Sequence, residues 1–269
     1  MTLSKSFGCA RWYWNYALNA CIEHYKETGK ALKLAAYKGI LPQLKKEFPW
    51  LKEDCYSAVL QCVTINLNKA YTNFFQGRAG FPRFKSKQGK QSIQYPQNVI
   101  VKGAKLVVPK IGELKAVFHS EITGTIKTVT ISKTSSDKYF ASILCETEES
   151  LNERTGDKTL GIDLGLKDFA IVHDGEEVTK YSNPRHLKRH GRNLRRKQQK
   201  LARKTKGSKS REKYRKFVAK VHERVSNTRQ DFLHKLSRKL VDSHPSHRCR
   251  KSQRQGYGTP SEAIKINIR

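Results

Sequence analysis

No run of about 18 apolar residues occurs in this 269-residue chain, so nothing in it reads as a bilayer-spanning helix. Residues Met1 to Gly8 hold no apolar core followed by a cleavage site, so no secretory signal is read there. The six cysteines (Cys9, Cys21, Cys55, Cys62, Cys145 and Cys249) form no Cys-x-x-Cys pair. Structural zinc is therefore not expected, and free thiols in a reducing, cytoplasmic setting are. Acid is scarce: 23 Asp and Glu stand against 54 Lys and Arg, a formal net charge of +31. Such an excess opposes compaction unless a polyanion neutralises it, which points to nucleic acid rather than a small-molecule substrate or a membrane.

The excess is uneven. Residues 1–150 hold 22 Lys/Arg and 11 Asp/Glu, residues 151–179 hold 3 and 7, and residues 180–254 hold 27 and 4. In residues 192–206 acid disappears altogether. Arg192, Arg195, Arg196, Lys197, Lys200, Arg203, Lys204 and Lys206 crowd there. A solvated helix ordinarily mixes signs to gain i,i+4 pairs, so this stretch calls for an anion. Aromatics are sparse in it, which favours phosphate contact over base stacking. A second basic cluster, Arg78, Arg83, Lys85, Lys87 and Lys90, is interleaved with Phe81 and Phe84. That mixture fits a grip on nucleic acid and fits core packing of the two rings equally well.

The element pattern is α+β. Residues 9–28 read as a helix with Trp12, Tyr16 and Asn19 on one side and Gly29 as its stop. Residues 55–75 read as another, with Val59, Leu60, Val63, Leu67, Ala70, Phe74 and Phe75 at helical spacing and Cys55 and Cys62 on one face. Short β-rich runs follow between 92 and 148, predicting an antiparallel sheet or barrel. Residues 159–173 predict a hairpin, with a turn at Asp174-Gly175 and a further strand near Val178. Two long helices are expected over 184–241, broken at Gly207-Ser208. Pro245, Gly256, Gly258 and Pro260 then punctuate a polar tail. Its His244, His247 and Cys249 lack a fourth ligand at suitable spacing.

Chemistry concentrates at Gly161-Ile162-Asp163-Leu164-Gly165. An Asp inside an apolar strand is costly to bury unless its charge is used. Two-metal nucleases place such an Asp on a first strand beside two more carboxylates. A turn Asp in an unrelated hairpin is the other reading.

Several segments resemble one family in order. FGCARWYWNYAL (7–18), FFQGRAGFPRFKSK (74–87), GIDLGLKDFAIVHDG (161–175), NLRRKQQKLARKTKGSKS (193–210) and NTRQDFLHKLSRKLV (227–241) are similar to stretches of the TnpB (OrfB) transposon-encoded proteins. The likeness runs over about residues 5–242. It implies an antiparallel β-barrel with a helical insertion, then a RuvC/RNase H-like domain carrying a long basic helical hairpin. On that pattern residues 1–90 are the insertion with an incomplete barrel start, 91–150 the rest of the barrel, 158–242 a partial RuvC-like domain, and 243–269 a degenerate tail. The resemblance also implies a guide RNA and DNA as partners, magnesium as cofactor, and Asp163 as catalytic metal ligand.

Departures from the pattern bear on activity. Only Met1 to Ser6 precede the first helix, where the family has a further strand. After Val241 no strand bearing a second catalytic Glu follows, and the zinc ribbon is missing. SEAIKINIR, residues 261–269, resembles the end of the third RuvC motif, with Ser261 where an Asp belongs. The expectation is a nucleic-acid binder, incomplete at both ends and deficient in cleavage. The alternatives are an active nuclease completed by another carboxylate, Glu262 first, and a nuclease-dead guided repressor.

Overall fold

The computed structural model describes residues 2–32, 34–147, 160–243 and 261–268. It is α+β and divides into two compact units, Met1–Glu148 with Pro260–Arg269, and Glu149–Thr259.

The first unit opens with α1 (Leu3–Thr28), α2 (Leu34–Glu47), α3 (Pro49–Glu53) and α4 (Ser57–Phe75). The buried side of α1 is Phe7, Ala10, Tyr13, Trp14, Ala17, Leu18 and Cys21. Trp12, Tyr16 and Asn19 do share a side, with Trp12 and Tyr16 stacked at 5.3 Å between ring centroids, but it is not the buried one. Trp12 instead meets Phe48 and Trp50 edge-on, at 4.9 and 5.1 Å between ring centroids, while Tyr16 and Asn19 are exposed. Phe48, just ahead of α3, and Trp50 on it pack with Trp12 against the edge of the core. On α4 the expected spacing does face the core, with Val59, Leu60, Val63 and Leu67 buried. Cys55 lies ahead of that helix, not on one face of it with Cys62. Its fully buried thiol is hydrogen-bonded with that of Cys9, and this contact together with burial pushes it above the ordinary cysteine range.

Six strands follow: β1 (Gln91–Tyr95), β2 (Ile100–Lys102), β3 (Lys105–Val108), β4 (Gly112–Val117), β5 (Thr125–Lys133) and β6 (Tyr139–Glu146). Burial alternates along β5 and β6, placing Val129, Ile131, Ala141, Ile143 and Cys145 inside. These residues join the inward faces of α1 and α4 in one core. A seventh strand, β10 (Ser261–Ile268), comes from the far end of the chain and runs antiparallel between β6 and β4. The sheet order is β1-β5-β6-β10-β4-β3-β2. This is an open sheet and not the closed barrel anticipated. Its edge strand β1 packs on α1 and α4, and its other edge, β2, is three residues long.

The second unit holds β7 (Gly161–Leu164), β8 (Asp168–His173) and β9 (Val178–Ser182), then α5 (His186–Ala202) and α6 (Lys209–Ser243). The strands form an antiparallel meander in the order β7-β8-β9. Asp174 makes its second turn: its carboxylate accepts the backbone N–H of Glu176 and Glu177, at 3.0 and 2.7 Å. The core here is thin, and Ala170, Val172, Leu194, Val221, Val225 and Leu236 are its buried apolar residues.

Candidate nucleic-acid interface and carboxylate site

Local chemistry fixes the helical hairpin. Ser208 caps α6, its hydroxyl accepting the Arg211 N–H at 3.1 Å. Arg211 then reaches back, and its guanidinium donates to the carbonyls of Leu201 and Lys204 at 3.2 and 2.8 Å. These carbonyls lie at the C-terminal end of α5, where a cation also meets the favourable end of the helix dipole. Leu194 on α5 and Val221 and Val225 on α6 are buried, and the two helices pack on each other. Phe232 meets Phe169 of β8 edge-on at 5.1 Å and His186 at 6.1 Å, which seats the meander on the far half of α6.

With Leu194 turned inward, the charge of α5 sorts by helical angle. At roughly 100° per residue, Lys188, Arg189, Arg192, Arg195, Arg196, Lys200 and Arg203 fall within an arc of about 140° that spans about 22 Å along the axis. All seven are exposed, and among the described residues none forms an ion pair. Lys206, in the turn, is exposed as well. Two cations of the sequence cluster lie off this arc. Lys197 places its ammonium 5.5 Å from the Phe217 ring centre and Lys204 5.4 Å from that of Tyr214, so these two help hold the hairpin together. Opposite charge returns on α6, where Arg215–Glu212, Lys235–Asp231 and Arg238–Asp242 form ion pairs.

The second cluster, Arg78, Arg83 and Lys85, belongs to the first unit. It follows α4, whose end is closed by Gly77 at φ +66°, with its N–H donating to the Phe74 carbonyl. Arg78 and Arg83 are exposed. The loop is tied to α1: the Trp14 indole donates to the Arg83 carbonyl, and Asn15 exchanges two hydrogen bonds with the Lys85 backbone. The Lys85 ammonium sits 3.8 Å from the Trp14 ring centre, and desolvation there lowers its pKa from the usual lysine value. Phe81 packs edge-on against Tyr71 and Phe74 yet stays half exposed, and Phe84 is also exposed.

Asp163 lies on β7 opposite Ile171. Every residue of β7 is exposed, so the cost of burying a charge, which singled this Asp out, does not arise. It makes no ion pair among the described residues. Asp168 stands at an odd offset from Ile171, but the β8–β9 ladder shifts register between Asp168 and Ala170, so alternation alone does not fix its face. Gly165 serves the turn: a Cβ there would meet the Asp168 carbonyl oxygen at 3.0 Å. Glu262 belongs to the first unit, opposite Cys145 of β6. Among the described residues no three His, Cys, Asp or Glu side chains group as metal ligands. The donors among the described residues do not fit a two-magnesium centre, which needs several converging carboxylates. His244, His247 and Cys249 lie outside the described residues.

Residues 142–251 match the OrfB family model described as "Probable transposase", and residues 2–30 match an OrfB model described as "Helix-turn-helix domain". The latter stretch is a single continuous helix here, α1. The chain belongs to the TnpB (OrfB) family. It is 31% identical over 241 residues to the "Putative RNA-guided DNA endonuclease InsQ" of Escherichia coli (strain K12), covering 88% of this chain and 59% of that protein. It is 33% identical over 246 residues to a "Putative RNA-guided DNA endonuclease" of Streptomyces pristinaespiralis, covering 89% and 60%. The chain thus spans about 60% of the length of these relatives. Among the described residues, no helix is long and apolar enough to cross a membrane.

Proposed function

We propose that this chain binds RNA and DNA through phosphate contacts from the exposed arc of α5, and that it does not itself cut DNA. The supporting observation is the sorting of seven cations onto one side of a helix that contains no acid. Self-repulsion along that face is relieved by a polyanion, whose condensed counterions are released on binding. The names of the relatives bring a guide RNA and a DNA target as the partners to test. In this reading β7–β9 with α5 and α6 are part of a RuvC-like domain, and Asp163 is its remaining carboxylate. Magnesium is given no step in this reading, since no three candidate ligands group among the described residues.

The test is binding against salt. Arg192→Ala, Arg195→Ala, Arg196→Ala and Lys200→Ala together remove four cations that pack on nothing. The slope of log affinity against log salt for duplex DNA is expected to flatten by roughly 3 to 4. Lys197 is left in place, since its replacement would also disturb Phe217. An unchanged slope would show that this face does not touch phosphate.

A further inference from the structure

The first unit carries a cavity of about 540 Å³ between the C-terminal ends of α1 and α4, with Phe81 from the following loop. Its walls are aromatic. Tyr71 and Phe75 stack with centroids 6.2 Å apart, while Phe81 stands edge-on to Tyr71 at 5.7 Å and to Phe74 at 5.3 Å. These rings are not closed over: Phe75 is 66% exposed, Tyr25 60% and Phe81 47%. A chain that leaves three large rings open around one hollow has placed them where a flat apolar partner can enter.

The polar groups narrow the partner. Among the described residues no Asp or Glu lines the cavity, whereas Lys26 does, along with Asn68 and Thr72. The chain's net charge of +31 disfavours a second copy docking here and favours a polyanion. Planar rings, a cationic rim and a few hydrogen-bonding groups are what an unpaired nucleobase needs: stacking for its face, polar groups for its edge, and a cation for its phosphate. We propose that this cavity holds an unpaired base of a bound nucleic-acid strand. The site is separate from the α5 arc, which grips phosphates without stacking. The proposal rests on the reading of the chain as a nucleic-acid binder.

The experiment uses the full chain and a single-stranded oligothymidylate carrying one 2-aminopurine, whose emission falls when it stacks. Wild type should quench the probe. Phe75→Ala with Phe81→Ala should relieve the quenching and weaken binding roughly tenfold, while the salt slope stays as in wild type. Phe75→Tyr keeps a ring and should keep the quenching, which separates loss of stacking from loss of fold. If the chain binds with a steep salt slope but the double alanine variant quenches as wild type does, the cavity takes no base. If salt-dependent binding is absent altogether, the nucleic-acid reading fails and this one with it. If sedimentation shows a dimer that the double variant converts to monomer, the cavity is a contact between copies and the proposal is overturned.

Discussion

Tyr13 shows how much a single position in this chain depends on its surroundings. It is fully buried on α1, and its hydroxyl shares a 3.0 Å hydrogen bond with that of Thr64 on α4. Burial raises its pKa, and burial likewise raises that of Tyr95 on β1. A raised folded-state pKa gives stability that is complete below the unfolded value, about 10 for tyrosine, and is lost as pH climbs beyond it. Trp12, Trp14 and Trp50 all lie in the first unit, so tryptophan emission reports that unit alone. Tyr13→Phe should cost about 1 kcal/mol at pH 7, where only the hydrogen bond is lost. Above pH 10 the difference should narrow, because the variant has one less buried phenol to ionise. Urea unfolding followed by emission at both pH values is the check, and a pH-independent gap would refute it. Little of this was visible in the sequence, where the reading of this helix rested on Trp12, Tyr16 and Asn19 and did not single out Tyr13. Asp163 and the Arg-rich run stood out at once, because charge type needs no fold to be read. The loss of Lys197 and Lys204 to aromatic rings did need one, since Phe217 and Tyr214 lie across a turn from them.

Elements whose periodicity is strong and local were legible: α4, the β7–β8 hairpin, and α5 and α6 with their break at Gly207-Ser208. Helix α2 was not, since Gly39 and Pro42 interrupt it and its support comes from Leu41 and Leu44 in the core. Strand β10 was legible only in part. Residues 264–268 alternate Ile-Lys-Ile-Asn-Ile, a strand pattern, but their partner β6 lies more than a hundred residues earlier. Nothing local announces such pairing, so the segment was matched to a catalytic motif instead of a sheet. Its structural importance follows from the strand order: β6 and β4 do not pair with each other, and without β10 the sheet divides there. Proline donates no N–H, and of two neighbouring residues on an antiparallel strand one must address β6. In the full chain, Ile264→Pro with Lys265→Pro should therefore speed hydrogen exchange in Tyr139–Glu146. Exchange in Asp168–His173 of the second unit should stay unchanged. Equal protection of β6 in variant and parent would mean that residues 261–268 do not pair with it.

At the scale of the molecule, charge and catalysis point in different directions. The chain carries what a polyanion needs, a net charge of +31 with a sorted basic helix, whereas among the described residues no three candidate metal ligands group for two-metal hydrolysis. That chemistry requires several carboxylates around two ions roughly 3.5–4 Å apart, and a lone Asp cannot fix both. Displacements near 1 Å already cost about a hundredfold in rate, and absent ligands cost more. We therefore expect no guided DNA cleavage from this 269-residue chain with guide RNA, target and magnesium supplied. Asp163→Ala makes the expectation specific. Asp163 is exposed and forms no ion pair among the described residues, so its loss should move stability by no more than about 0.5 kcal/mol. It should leave nucleic-acid affinity equal or slightly higher, because it deletes a negative charge from a cationic protein. A gel assay of target cleavage run beside a binding titration separates the outcomes. Cleavage that depends on magnesium and disappears in Asp163→Ala would overturn the binder-only reading. It would then require a further carboxylate to reach Asp163, with Glu262 the first to replace.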